Sequence, residues 1–253
     1  SNVIPHFTAG WSGGSKILLP GLAGRETVGQ MHYLSANTMP NAVGRTDVPA
    51  RRLIDHFGQK VGLHFSVNTV LTRKGEIAGV FSGDPIEARM RAVQLSKTIY
   101  GIELPSRADI VVSSSYPADI DFWQAEKGLF SADLATRRGG GILLITPCPE
   151  GVSASHSEFA EMLQYRPSEI VSLMETENVK DLIAASLALC VAKTREPYEV
   201  CIVSDGISES EAQKLHFRKF AEVEEAMCYL TERCGSDSKV AILSHGGETY
   251  PIC

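Results

Sequence analysis

Apolar and polar positions follow two different rhythms along this chain, and the rhythms mark its elements. Residues 26–37 and 48–58 carry apolar side chains at helical spacing, the second set through Leu53, Ile54 and Phe57, and Pro40 stops the first. A short apolar run at 16–19 predicts a strand in an otherwise loop-rich opening. The runs "LHFSVNTVLT" and "GEIAGVFSG", joined by Arg73-Lys74-Gly75, predict a β-hairpin. Asp84-Pro85 then opens a long amphipathic helix to about Tyr100, with the proline in the first turn, where its missing N–H costs nothing.

Beyond "GIELPSRA" the rhythm changes to buried strands alternating with helices. Strands are predicted at 109–115, 139–148, "EVCIVSDG" and "KVAILSHG", and helices at 119–135, 156–165, 167–176, 179–195, 208–216 and 220–234. This alternation predicts an α/β fold: a C-terminal, mostly parallel Rossmann-like sheet with helices on both faces, preceded by part of a second α/β domain. The boundary is expected near residue 100, giving 1–100 as the cofactor-anchoring part of an N-terminal domain and 101–253 as the C-terminal domain. Ligands of such sheets sit beyond the C-terminal strand ends, which selects the loops at 113–117, 146–155, 204–207 and 244–249.

Composition narrows the partners. Lys and Arg number 24 against 30 Asp and Glu, a net charge of −6, so no nucleic-acid surface is expected. No stretch of 18 apolar residues occurs, so no membrane partner is expected either. All six cysteines lie in the C-terminal half without C-x-x-C spacing and read as reduced thiols of a cytoplasmic protein. The chain opens Ser1-Asn2-Val3-Ile4 and enters a dense motif within six residues, a position that predicts a fragment whose upstream portion is missing.

That motif is "PHFTAGWSGGSK". It is not a phosphate loop, because Lys16 follows Ser15 and precedes Ile17, and no G-x-G-x-x-G follows a strand. Gly13 and Gly14 let the main chain approach a ligand closely. A plain turn with a solvated lysine explains the stretch as well, but His6 stands ten residues before Lys16 and His32 sixteen after it. His56 and His64 sit in apolar contexts, where a structural role is expected.

"HFTAGWSGGSKILLPGLAGRETV" with His32, together with "YPADIDFWQAEKG" at 116–128, resembles the nickel-pincer-nucleotide-dependent lactate racemases and their 2-hydroxy-acid racemase and epimerase relatives. The resemblance spans the whole chain and corresponds to the C-terminal three-fifths of a member. It implies that Lys16 forms a thioamide with a pyridinium mononucleotide whose ring carbon and two sulfurs grip nickel, and that His32 is the fourth ligand of a near-planar metal. Soft sulfur with one imidazole suits square-planar nickel. His6 matches one of two acid–base groups, and imidazole suits that task near neutral pH. The second such group belongs, in relatives, to a segment upstream of Ser1. Gln124 and Lys127 match the pair that holds the 2-hydroxy acid substrate, and at three residues apart they share a helix face.

Ser12, Gly13 and Gly14 are expected to offer donors to the mononucleotide phosphate. Trp11 and Trp123 suit either a wall around the reaction or core packing. The implied reaction is reversible hydride transfer through a 2-keto acid, with the missing N-terminal portion and cofactor maturation proteins as partners. A rival of a different class is a non-catalytic nucleotide-binding α/β module, for which "RRGGGILLITPCPEG" would supply strand and turn. An ordinary nicotinamide dehydrogenase is disfavoured by the missing glycine fingerprint.

Overall fold

The structure is a computed structural model; it describes residues 1–176 and 178–253. The chain divides into two compact units, Ser1–Gly101 and Ile102–Cys253. In the first, β1 (Pro5–His6) and β2 (Gly10–Trp11) pair antiparallel and lead into a 3₁₀ turn, Gly14–Ile17. Helices α1 (Arg25–Thr38) and α2 (Pro49–Val61) follow, then the hairpin β3 (Ser66–Leu71) and β4 (Ile77–Gly83), then α3 (Pro85–Tyr100). Local chemistry sets these ends. Asp84 Oδ1 accepts from the amides of Ile86 and Glu87 at 3.0 Å and caps α3, while Gly62, at φ 82°, closes α2 in the left-handed region.

The strand expected at 16–19 is instead the 3₁₀ turn. Gly13 (φ 89°) and Gly14 (φ 58°) curl the chain, the amides of Leu18 and Leu19 bond back to Ser15 O, and Pro20 has no N–H for a ladder. Ala9, Leu19, Met31, Ala50 and Ile54 then form one buried cluster. It packs the loop after His6, the turn after Lys16 and the residue before His32 around a common core.

In the second unit, β5 (Gly101–Glu103) pairs with β11 (Tyr250–Ile252). The main elements run β6 (Ala108–Ser114), α4 (Phe122–Ala135), β7 (Thr136–Ile145), α5 (Ser157–Met162), α6 (Pro167–Glu175) and α7 (Leu182–Arg195). They continue β8 (Glu199–Val203), α8 (Glu209–Lys214), β9 (Arg218–Phe220), α9 (Val223–Cys234) and β10 (Val240–Leu243). Five strands form one sheet in the order β10-β6-β7-β8-β9, every pair parallel, as the alternation predicts.

Side-chain alternation divides the sheet between two helical layers. Ile110, Leu143 and Cys201 meet Ala226 and Leu230 of α9, whereas Leu144 faces α4, where a Cβ on Gly128 would come within 2.9 Å of its Cδ1. Helix α7 is buried over nearly its whole circumference, which explains its lack of a polar face. The short β1, β2, β5, β9 and β11 escape sequence reading because two or three residues carry no measurable period. No helix among the described residues is long and apolar enough to cross a membrane. All six cysteines are free thiols.

Candidate active site

In the first unit, the segment from Ser12 to Lys16 is held from several directions. Gly14 N–H donates to the Asn68 amide oxygen at 2.8 Å, and Arg51 Nη1 donates to Gly13 O at 3.2 Å. A Cβ on Gly14 would stand 2.8 Å from Pro85 O, and one on Gly58 would stand 2.3 Å from Ser15 Oγ. Both glycines are thus needed for packing, and Gly14, at φ 58°, for its left-handed backbone as well. Ser15 is buried, and Lys16 is half-buried at the end of the turn.

Arg51, Asp55 and Arg89, which sequence reasoning missed, underlie this loop. Arg51 lies 3.3 Å and Arg89 3.8 Å from the Asp55 carboxylate, and both arginines are 2% exposed. Burial pulls the Arg51 guanidinium down to about 10 and Arg89 in the same direction. Burial also raises Asp55, outweighing both neighbouring guanidiniums. The signal available in sequence was an Arg–Asp pair at i, i+4 on the apolar-spaced helix, which reads equally as a solvated pair.

His6 and His32 are oriented by main-chain groups. His6 Nδ1 accepts from the amides of Thr8 at 3.2 Å and Ala9 at 3.4 Å, so its hydrogen resides on Nε2. His32 shows the opposite tautomer: Nδ1 donates to Val28 O at 2.9 Å, leaving the lone pair on Nε2. Val28 O is the outer partner that a metal-binding imidazole requires.

Two of the donors expected for a phosphate, Ser12 and Gly14, are used by the protein itself. Ser12 Oγ donates to Asn2 O at 2.7 Å and accepts from Ile4 N at 2.8 Å, and Gly14 N–H is bound to Asn68. An anion would have to displace these bonds. Trp11 is fully buried in the core. His56 and His64, expected in structural roles, are exposed on α2 and in the loop after it.

In the second unit, α4 carries Gln124 and Lys127 just beyond the C-terminal end of β6. Its free amides are satisfied internally: Phe122 and Trp123 donate to Gly151 O and Val152 O, both at 2.9 Å, and Gln124 N donates to Asp121 Oδ1 at 2.9 Å. Lys127 Nζ donates to Gln124 Oε1, so the two side chains form one unit. The lysine is half-buried. Desolvation lowers its ammonium, opposed by Glu126 and Asp121. Glu126, another residue missed in the sequence, is fully buried with Oε2 lacking a hydrogen-bond partner, and burial raises its carboxyl well above the ordinary range.

Residues 104–248 match the family model described as the lactate racemase C-terminal domain, and residues 1–44 match the lactate racemase N-terminal domain. The chain is 25% identical over 252 residues to a lactate racemase of Thermoanaerobacterium thermosaccharolyticum, covering 96% of this chain and 58% of that protein. It is 26% identical over 255 residues to a lactate racemase of Lactiplantibacillus plantarum, again covering 58% of the relative and 95% of this chain. The chain therefore spans less than two thirds of the length of the curated relatives it matches.

The fold is similar to the lactate racemase apoprotein structure from T. thermosaccharolyticum, with a TM-score of 0.87 at 22% identity, covering 99% of this chain and 61% of that one. A Thermotoga maritima protein gives 0.73 at 18% identity, covering 99% and 65%.

Proposed function

The chain belongs to the lactate racemase family, and on that premise we propose that it is the part of a 2-hydroxy-acid racemase or epimerase that anchors a nickel-pincer nucleotide and binds substrate. The residues around Lys16 fit such a group. The lysine ends a turn fixed by Asn68, Arg51 and two glycines, and His32 offers an Nε2 lone pair, the form of imidazole that binds metal. Among the described residues no group of three or more His, Cys, Asp or Glu is arranged to hold a metal. One imidazole with donors from the nucleotide would be a ligand set that suits nickel.

Lys16 is the covalent tether and His32 the protein's ligand. When bound, the nucleotide would supply an acceptor for the hydride on substrate carbon 2; its return to the same face of the planar keto carbon would restore the centre and to the opposite face would invert it. His6 handles the hydroxyl proton. In its observed tautomer it presents Nε2–H as a donor to the substrate oxygen. Acting as a base requires the other tautomer, which releases the amides of Thr8 and Ala9; at 3.2 and 3.4 Å these are long contacts and yield readily.

Lys127 supplies a cation to the substrate carboxylate and Gln124 a hydrogen bond, their mutual contact fixing both side chains before substrate arrives. A racemase needs proton handling on both faces of carbon 2, and the second group is assigned to the part of the relatives' length that this chain does not span. Maturation proteins that build and insert the nucleotide complete the list of partners. The free thiols favour a cytoplasmic setting.

The observation that carries this reading is the fixed His32 tautomer on a helix packed into the same buried cluster as the Lys16 turn. The test is chiral chromatography of enantiopure 2-hydroxy acids incubated with full-length protein made alongside the maturation proteins. Loss of optical purity in at least one acid is expected. A nickel-loaded preparation that leaves every one optically pure refutes the assignment.

A further inference from the structure

The loop after β7 ends on His156, where two contacts fix the ring and a third holds its backbone amide. Nδ1 lies 2.7 Å from Asp181 Oδ2, the ring stacks on the Trp123 indole with centroids 4.0 Å apart and planes 7° from parallel, and the His156 N–H donates to Ser153 Oγ at 3.1 Å. Asp181 is itself held. Its Oδ1 caps α7 through the amides of Ile183 and Ala184, and its own N–H donates to the Glu158 carboxylate. Because Asp181 accepts, Nδ1 carries the hydrogen and the Nε2 lone pair lies on the opposite edge of a side chain that is 25% exposed.

Packing alone does not require this arrangement. A phenyl ring would stack on Trp123 equally well, and Asp181 would cap α7 without an imidazole beside it. What the histidine adds is one acceptor in a fixed direction. Trp123, which it covers, stands four residues before Lys127 on α4 and so shares its face, next to Gln124. His156 follows β7 and α4 follows β6; the two strands are neighbours, and both features lie at the edge where parallel sheets bind ligands.

We infer that His156 Nε2 accepts a hydrogen bond from a substrate hydroxyl beyond carbon 2, so that the preferred substrate is a polyhydroxy 2-hydroxy acid rather than lactate. This rests on the substrate-holding role proposed above for Gln124 and Lys127. A methyl group at that place would leave the oriented acceptor without a partner, the kind of mismatch that polar sites discriminate against strongly. A second carboxylate would meet Asp181 and Glu158 beside the ring and Asp121 near Lys127, all acidic.

The ring nitrogens of His156 can be followed by long-range ¹H–¹⁵N correlation in the 253-residue chain, the signal being identified by its loss in His156→Phe, or in His156→Gln should the first variant not fold. Glycerate and lactate are added at equal concentration. The Nε2 resonance is expected to move with glycerate and not with lactate. In cofactor-loaded full-length protein, His156→Phe is expected to lower the ratio of kcat/KM for glycerate to that for lactate by about tenfold. A resonance that responds to both acids or to neither, or an unchanged ratio, overturns the inference. Turnover of lactate with an unchanged ratio leaves the racemase reading intact. A glycerate-specific shift without turnover of any 2-hydroxy acid removes that reading and keeps the hydroxyl contact.

Discussion

His32 Nδ1 lies 2.9 Å from the carbonyl oxygen of Val28, one turn earlier on α1. The bond fixes the tautomer, with the ring hydrogen on Nδ1. His32→Ala is expected to leave the covalent adduct on Lys16 in place while lowering bound nickel by at least about tenfold, since an imidazole ligand with its outer partner is lost together. Metal analysis beside intact mass reads both quantities. Nickel retained at the wild-type level would remove His32 from the metal.

The contact between Gly58 and Ser15 predicts an effect opposite to helix propensity. Alanine is favoured over glycine by about 1 kcal/mol inside a helix. A Cβ at residue 58 would meet Ser15 Oγ at 2.3 Å and Ser15 Cβ at 2.6 Å, however. Gly58→Ala is expected to destabilise the chain by about 1–3 kcal/mol in denaturant unfolding. Adding Ser15→Gly should recover much of the loss, and additive effects of the two changes would refute the contact.

Glu126 gives a pH dependence whose sign can be worked out. Its folded pKa is raised well above the ordinary carboxyl range, chiefly by burial. Between the unfolded and folded values the native state binds the extra proton, so this group's contribution is fully present below the unfolded pKa and is lost as pH rises through the folded one. Glu126→Gln, which keeps the shape without the ionisation, should flatten that decline. The variant's stability relative to wild type is expected to be greater at pH 8 than at pH 5 in urea titrations. An equal difference at both pH values would contradict the assignment.

Lys127 should act on substrate and not on loading. Lys127→Met is expected to leave the Lys16 adduct and nickel content unchanged while lowering kcat/KM by roughly 10- to 100-fold, the range of a hydrogen bond to a charged group. Normal turnover in the variant would return Lys127 to a structural role.

The parts of this molecule legible in sequence are those with a long period or a compact motif. The helices at Arg25–Thr38 and Pro85–Tyr100 and the parallel strands β6 to β8 were marked by apolar spacing and by Asp84-Pro85. The 16–19 run misled because two glycines upstream and Pro20 downstream decide its backbone, while of its apolar residues only Leu19 enters the core and Ile17 is exposed. Residues that support the loop were invisible for a different reason. Asn68 lies in an apolar strand and Arg51 on an ordinary amphipathic helix, and only the fold brings them to Gly14 and Gly13. His156 and Asp181 are 25 residues apart, with no local pattern to join them.

The central claim is that the Lys16 amine carries the nucleotide. Intact-mass spectrometry of protein made alongside the maturation machinery should find a covalent addition mapping to Lys16, with nickel present, and both absent from Lys16→Ala. A wild-type mass equal to that of the bare polypeptide, from cells in which a related lactate racemase is loaded, would contradict it.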